Sequence, residues 1–156
     1  MSKFERRQLH PRDARVVANW RLGDAEALLR THDAERANGA IYLGGIAVEC
    51  LLKASLLEKY TWLQNPPAGL STVNAKLWDL CYRFHELDRI LAELPEVMAR
   101  LAAREQRRSS RLSQRLKSIC ARWTISVRYS PRQASWEEAW EFVESVKELK
   151  PWLSRM

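Results

Sequence analysis

A chain of 156 residues with five glycines and six prolines is large enough to bury one core without disulfides or a metal to staple it. Its abundance of Ala, Leu, Arg and Glu points to helix rather than sheet. The formal net charge of +7 is unevenly spread: Arg100 to Arg132 carry ten basic residues and one acid, Glu105, so the whole excess lies in one fifth of the sequence.

The N-terminal MSKFERRQLHPR lacks an apolar signal core, and no stretch approaches eighteen uncharged apolar residues. The expectation is a cytoplasmic protein that engages no membrane. Residues 1–10 read as an arm, and residues 11–156 as a single helical domain. Pro11 suits the first turn of a helix that runs to about Thr31, with Ala14, Val17, Ala18, Ala25, Leu28 and Leu29 inward. Asp33 is placed to cap a second helix that continues to about Lys59. Within it, Ala40 to Ala54 is almost wholly apolar apart from Glu49 and Lys53, and Ala40, Gly44, Ala47 and Leu51 share one face on which a neighbouring helix can approach closely.

Thr61 to Thr72, with Pro66 and Pro67, forms the longest loop. A third helical region covers about Val73 to Leu94 with an interruption near Tyr82 to His85, and Pro95 starts another piece. Glu105 to Ser110 has no apolar residue and predicts a kink or loop. From Arg111 the period returns: Leu112, Leu116, Ile119, Cys120 and Trp123 form an apolar stripe, with Arg111, Arg115 and Arg122 on the opposite side. Thr124 to Ala134 reads as an extended connection, and Ser135 with Glu138 makes a capping box for a last helix that ends at Leu149, or at Leu153 if Pro151 only kinks it. About five helices with mostly short connections imply an antiparallel, up-and-down bundle, all-α in class.

Three segments carry a family resemblance. AIYLGGIAVECLLKA, from Ala40 to Ala54, is similar to the second helix of HEPN domains (higher eukaryotes and prokaryotes nucleotide-binding). His85-Glu-Leu-Asp-Arg-Ile-Leu and the Trp123 to Ser130 segment, with its Arg128-Tyr129 pair, resemble the two elements that follow in that family, in the same order. The resemblance implies a HEPN-like helical bundle that binds RNA, DNA or a nucleotide, that associates as a homodimer, or that partners a separately encoded nucleotidyltransferase. The family's ribonucleases, including toxins of toxin-antitoxin pairs, carry an arginine followed by a histidine after four to six intervening residues. Counted from Arg128, those positions hold Gln133, Ala134 and Ser135, none of which is an imidazole acid or base. The resemblance therefore points to the non-catalytic branch, with a metal-independent endoribonuclease using His85 with Arg128 or Arg122, or a purely structural interaction module, as alternatives.

The candidate ligand-binding residues are Arg128, Tyr129, Glu49, Lys53 and His85, and the candidate nucleic-acid contacts are Arg107, Arg108, Arg111, Arg115 and Arg122. Glu49, deep in an apolar run, needs a partner, and Lys53 one turn on and Arg128 are the two on offer. Arg128 is suited to grip a phosphate and Tyr129 to stack on a base; equally, both could serve packing alone. The acids Glu137, Glu138, Glu141, Glu144 and Glu148 of the last helix could neutralise the basic run. Trp20, Trp78, Trp123 and Trp140 fall in apolar patterns and read as core, whereas Trp62, Trp136 and Trp152 stand nearer element ends. Cys50, Cys81 and Cys120 read as reduced, buried thiols. Cys81 and His85 have the spacing of half a metal site with no second half, so neither metal nor other cofactor is implied.

Overall fold

The computed structural model describes residues 8–108 and 111–155, which form seven α-helices and no strand. Residues 1–7, most of the expected arm, lie outside the described residues, while Leu9 packs against the core and its N–H donates to the Tyr82 hydroxyl at 3.3 Å. Helix α1, Pro11–Leu29, opens on Pro11 and buries Ala14, Ala18, Leu22, Ala25 and Leu29 at intervals of three and four. It ends in a turn where His32 takes a φ of 52°, a left-handed conformation that costs a non-glycine residue energy. The His32 ring stacks on Trp136 at 5.0 Å, and the Trp136 indole N–H donates to the Leu29 carbonyl at 2.9 Å, so the strained turn is held from the side.

Asp33 caps a short 3-10 turn, Ala34–Arg36, rather than the second helix directly, and α2 follows as Ala37–Lys59. This helix is the centre of the molecule. Ala40, Gly44, Ala47 and Leu51 are all buried, and a Cβ on Gly44 would stand 3.0 Å from Phe142 of the last helix. Helices α3 (Thr72–Tyr82) and α4 (Leu87–Ala92) are separated at residues 83–86, where the interruption was expected. Helix α5, Pro95–Arg108, takes in Glu105 to Arg108, the first four of the six residues where a kink or loop is expected, and Ser109 and Ser110 lie outside the described residues: arginine, glutamine and glutamate are good helix formers, and propensity holds this last turn without an apolar residue. Helix α6 is Leu112–Arg122. The connection after it is not extended but contains a 3-10 turn, Ile125–Tyr129, whose start is capped by the Thr124 hydroxyl accepting from the Ser126 N–H at 2.9 Å. Helix α7, Trp136–Leu153, begins on the expected capping box of Ser135 and Glu138 and passes through Pro151.

Helices α1 and α2 run antiparallel, and so do α6 and α7. Arg15 reaches Glu58 and Leu28 lies against Gly39 across α1 and α2, while Arg115 reaches Glu148 across α6 and α7. By length and composition α2 could cross a membrane, but most of it is buried among the other helices. Two of the four tryptophans expected in the core are elsewhere: Trp20 is 61% exposed, on the side of α1 opposite the buried stripe, and Trp140 is 45% exposed beside the buried Ala139. Trp123 is buried, and Trp78 packs partly buried at the core's edge.

Of the five glycines, Gly45 is the most closely approached, by the ring of Trp123. A Cβ at Gly45 would fall 1.9 Å from the indole Nε1, so the ring occupies the space a side chain would need. Gly45→Ala therefore forces a buried ring out of place and should cost about 3 kcal/mol or more, a loss of roughly 6–12 °C in Tm. A thermal melt within 2 °C of wild type, as an order-of-magnitude bound, would contradict this packing.

Candidate functional site

Tyr42, Glu49 and Lys53 stand seven and four residues apart on α2 and so share one side of it. Glu49 is buried. Its Oε1 lies 2.7 Å from Lys53 Nζ, which also donates to the Phe84 carbonyl at 2.9 Å. The Nδ1–H of His85 donates to both Glu49 carboxylate oxygens, at 2.9 and 3.0 Å. A carboxylate only accepts, so the hydrogen sits on Nδ1 and Nε2 is left without a partner among the described residues. The imidazole side chain is 43% exposed against 6% for the Glu49 side chain. The bonds tie α2 to the segment between α3 and α4.

Arg128 does not meet Glu49, contrary to expectation. Its Nη1 donates to the Tyr42 hydroxyl at 3.2 Å and its Nη2 to the Tyr129 hydroxyl at 2.5 Å, with the guanidinium over the two rings at 5.4 and 4.5 Å from their centres. The 3-10 turn carries Arg128 to the start of α2, while Glu49 lies two turns further along, on the order of 10 Å away. The expected single polar centre is thus two clusters on one side of α2, with Trp123 packed at Gly45 between them. Tyr129 is not a core residue: it is 72% exposed.

The expected nucleic-acid contacts divide. Arg107 and Arg108 end α5, and their side chains lie outside the described residues. Arg111, Arg115 and Arg122, spaced by four and seven, make a ridge along α6 about 16 Å long. Arg115 pairs with Glu148, whereas Arg111 and Arg122 meet no carboxylate among the described residues. Beside the ridge a groove of about 580 Å³ opens between α6, the 3-10 turn and α7, with Trp123 in its lining. Arg115, Arg122 and Arg132 supply cations there, and Ser118, Thr124 and Ser130 are among its hydroxyls. Glu138 and Glu141 line it too, and Arg132 stands 3.6 Å from Glu138. The last helix therefore neutralises part of the basic run, as its acids suggested. Arg132 and the hydroxyls are absent from the expected set; the signal for them was the Ser and Thr content of Thr124 to Ser130 beside two arginines.

Positions 133–135 are joints. The Gln133 amide donates to the Ala34 carbonyl at 2.6 Å, the Ala134 N–H donates to Asn38 Oδ1 at 2.9 Å, and Ser135 caps α7. Asn38 also donates to the Arg132 carbonyl at 2.9 Å, so one amide hangs this whole segment on α2. At the other end of the ridge, Glu105 accepts from the Ser113 N–H at 2.6 Å and its hydroxyl at 2.7 Å. These bonds hold its carboxyl below the ordinary range. Burial pushes the thiols of Cys50 and Cys81 up to about 11 and that of Cys120 to about 12, which leaves all three protonated and poorly nucleophilic. No group of three metal-type ligands forms among the described residues.

Comparison with family models, curated proteins and solved structures returns no match to this chain.

Two outcomes follow. Glu49→Leu or Lys53→Met alone strands the other buried charge and should cost about 3–5 kcal/mol in urea unfolding, while the double variant should cost clearly less than the sum; strict additivity would show that the pair is not coupled. Glu105 has a lowered pKa, so its bonds to Ser113 stabilise the fold at neutral pH and are lost as acid protonates the carboxylate. Wild type should lose more stability than Glu105→Gln between about pH 5 and pH 2, and parallel pH profiles would contradict that.

Proposed function

We propose that this protein is a non-catalytic, HEPN-like module that binds nucleic acid or a nucleotide, in the setting of a separately encoded nucleotidyltransferase partner. The observation that carries the reading is the α6 ridge. Arg111, Arg115 and Arg122 stand in line beside a groove that Arg132 and several hydroxyls also line, a surface suited to follow a phosphate backbone while side chains in the groove meet sugar or base. Tyr129, exposed on the neighbouring turn with Arg128 against its ring, adds a stacking surface. Two further features support binding without cleavage. Residues 133–135 are committed to holding the chain together, and His85 and Arg128 are anchored to different parts of α2.

The endoribonuclease reading keeps one observation in its favour: Glu49 fixes the His85 tautomer and leaves Nε2 without a described partner, as in an acid-base histidine oriented by a carboxylate. Against it, Arg128 is turned to Tyr42 and Tyr129 rather than toward that imidazole. Cleavage of labelled RNA without metal, abolished by His85→Ala, would favour it over simple binding.

Binding is tested by fluorescence anisotropy of a labelled single-stranded RNA. Three ridge contacts predict roughly a tenfold to twentyfold loss of affinity between 50 and 200 mM salt. Arg111→Ala/Arg122→Ala should weaken binding and flatten that dependence without changing the melt, because neither arginine holds a described carboxylate. Salt-independent binding, or a double variant that binds like wild type, would overturn the proposal.

A further inference from the structure

A second cleft, of about 380 Å³, lies between α5 and the last turn of α7 and shares no lining residue with the groove beside α6. It is built from a repeated step in α5. Val97 and Leu101, four apart, are buried in its floor with Leu153, while Arg100 and Arg104, also four apart, stand beside them. Pro151 does not stop α7, so Trp152 and Leu153 continue as helix into the cleft wall. The Arg104 guanidinium lies 4.6 Å from the centre of the Trp152 ring, presenting a flat face that is both apolar and cationic. Arg100 and Arg155 are exposed at the cleft.

Among the described residues no Asp or Glu lines the cleft; the nearest acid is Glu96, one turn before Arg100, whose carboxylate feels the Arg100 charge but pairs with Lys59 at 3.0 Å. The only side-chain polar groups in the lining besides the Trp152 indole N–H are guanidinium donors. There is no hydroxyl or amide to read a base edge, in contrast to the groove beside α6. The volume is near the lower end for a small-molecule site, about a dozen water-sized groups.

We infer that this cleft binds a compact anionic amphiphile, with an apolar body of about ten atoms on the floor of Val97, Leu101 and Leu153 and a carboxylate or phosphate head held by Arg100 and Arg155. Charge complementarity selects this occupant: three arginines surround an apolar floor in a lining that holds no Asp or Glu, so a neutral apolar molecule leaves the cations unused, and an inorganic anion leaves the floor unused. The site owes nothing to the ridge, and its test uses no nucleic acid.

Decanoate, decyl phosphate and decanol, each below its micellar concentration, are titrated against the full chain by calorimetry. Binding is located through the indole N–H resonance of Trp152, assigned with Trp152→Phe. Decanoate should shift that resonance and bind at least about tenfold tighter than decanol, and octanoate should bind roughly fifteenfold more weakly than decanoate, from about fourfold for each of two methylenes. Arg100→Gln/Arg155→Gln should lower decanoate affinity about tenfold with an unchanged melt, since both residues are exposed and hold no described carboxylate. Tighter binding of decyl phosphate assigns a phosphate head, and tighter binding of decanoate a carboxylate head. Equal binding of decanoate and decanol, an unmoved Trp152 resonance, or preference for an acidic peptide that decanoate does not displace would each overturn the proposal.

Discussion

The architecture depends on one bare stretch of backbone. Gly45 has no side chain, and the Trp123 indole fills the space in its place. Trp123 is the residue at which α6 ends, so its seat on α2 fixes where the chain turns next. From that point the 3-10 turn carries Arg128 to Tyr42, the Ser130 to Ser135 segment is hung on Asn38, and α7 starts against the end of α1. The groove beside the ridge has its width set by this chain of contacts. A glycine in the most buried helix costs propensity, and the close approach of a large ring offsets it with dispersion contacts over a wide area.

Two turns further along the same helix the packing problem is electrostatic. Glu49 and Lys53 are both removed from water, a condition tolerated only when each charge has partners on more than one side. Glu49 has Lys53 and His85; Lys53 has Glu49 and the Phe84 carbonyl. His85 is the outer member, so the polar network begins in the core and ends at the surface. The two clusters on α2 therefore differ in kind, one a buried ionic network with an exposed imidazole, the other an exposed cation between two tyrosine rings.

Much of the fold was legible from period and punctuation. Pro11, the break at residues 83–86 and the Ser135–Glu138 box mark element ends by mechanisms that act within a few residues, and the structure keeps them. Local pattern failed where propensity or packing decided instead. Glu105 to Arg108 is helical without an apolar face, and Trp20 and Trp140 interrupt apolar stripes without joining the core. At the candidate site, the residue types were readable but their pairing was not. Glu49 needed partners, and the sequence offered Lys53, which the structure keeps, and Arg128, which it does not; only the meeting of the α3–α4 connection with α2 supplies His85 instead. The groove hydroxyls left a local signal only in Thr124 to Ser130, since Ser118 and Ser145 come from two helices that meet only in the fold.

The buried Glu49–Lys53 pair has a further meaning for the newly made chain. Before α1 and α7 cover it, α2 is an apolar helix long enough to be drawn into a bilayer. An isolated charge near the centre of such a segment opposes insertion by about 2.5–3.5 kcal/mol on biological insertion scales, so the two together weigh against it by at most roughly 5–7 kcal/mol, less to the extent that they pair within the helix. The same two side chains that later bind the α3–α4 connection thus bias the nascent helix toward its own protein and away from lipid.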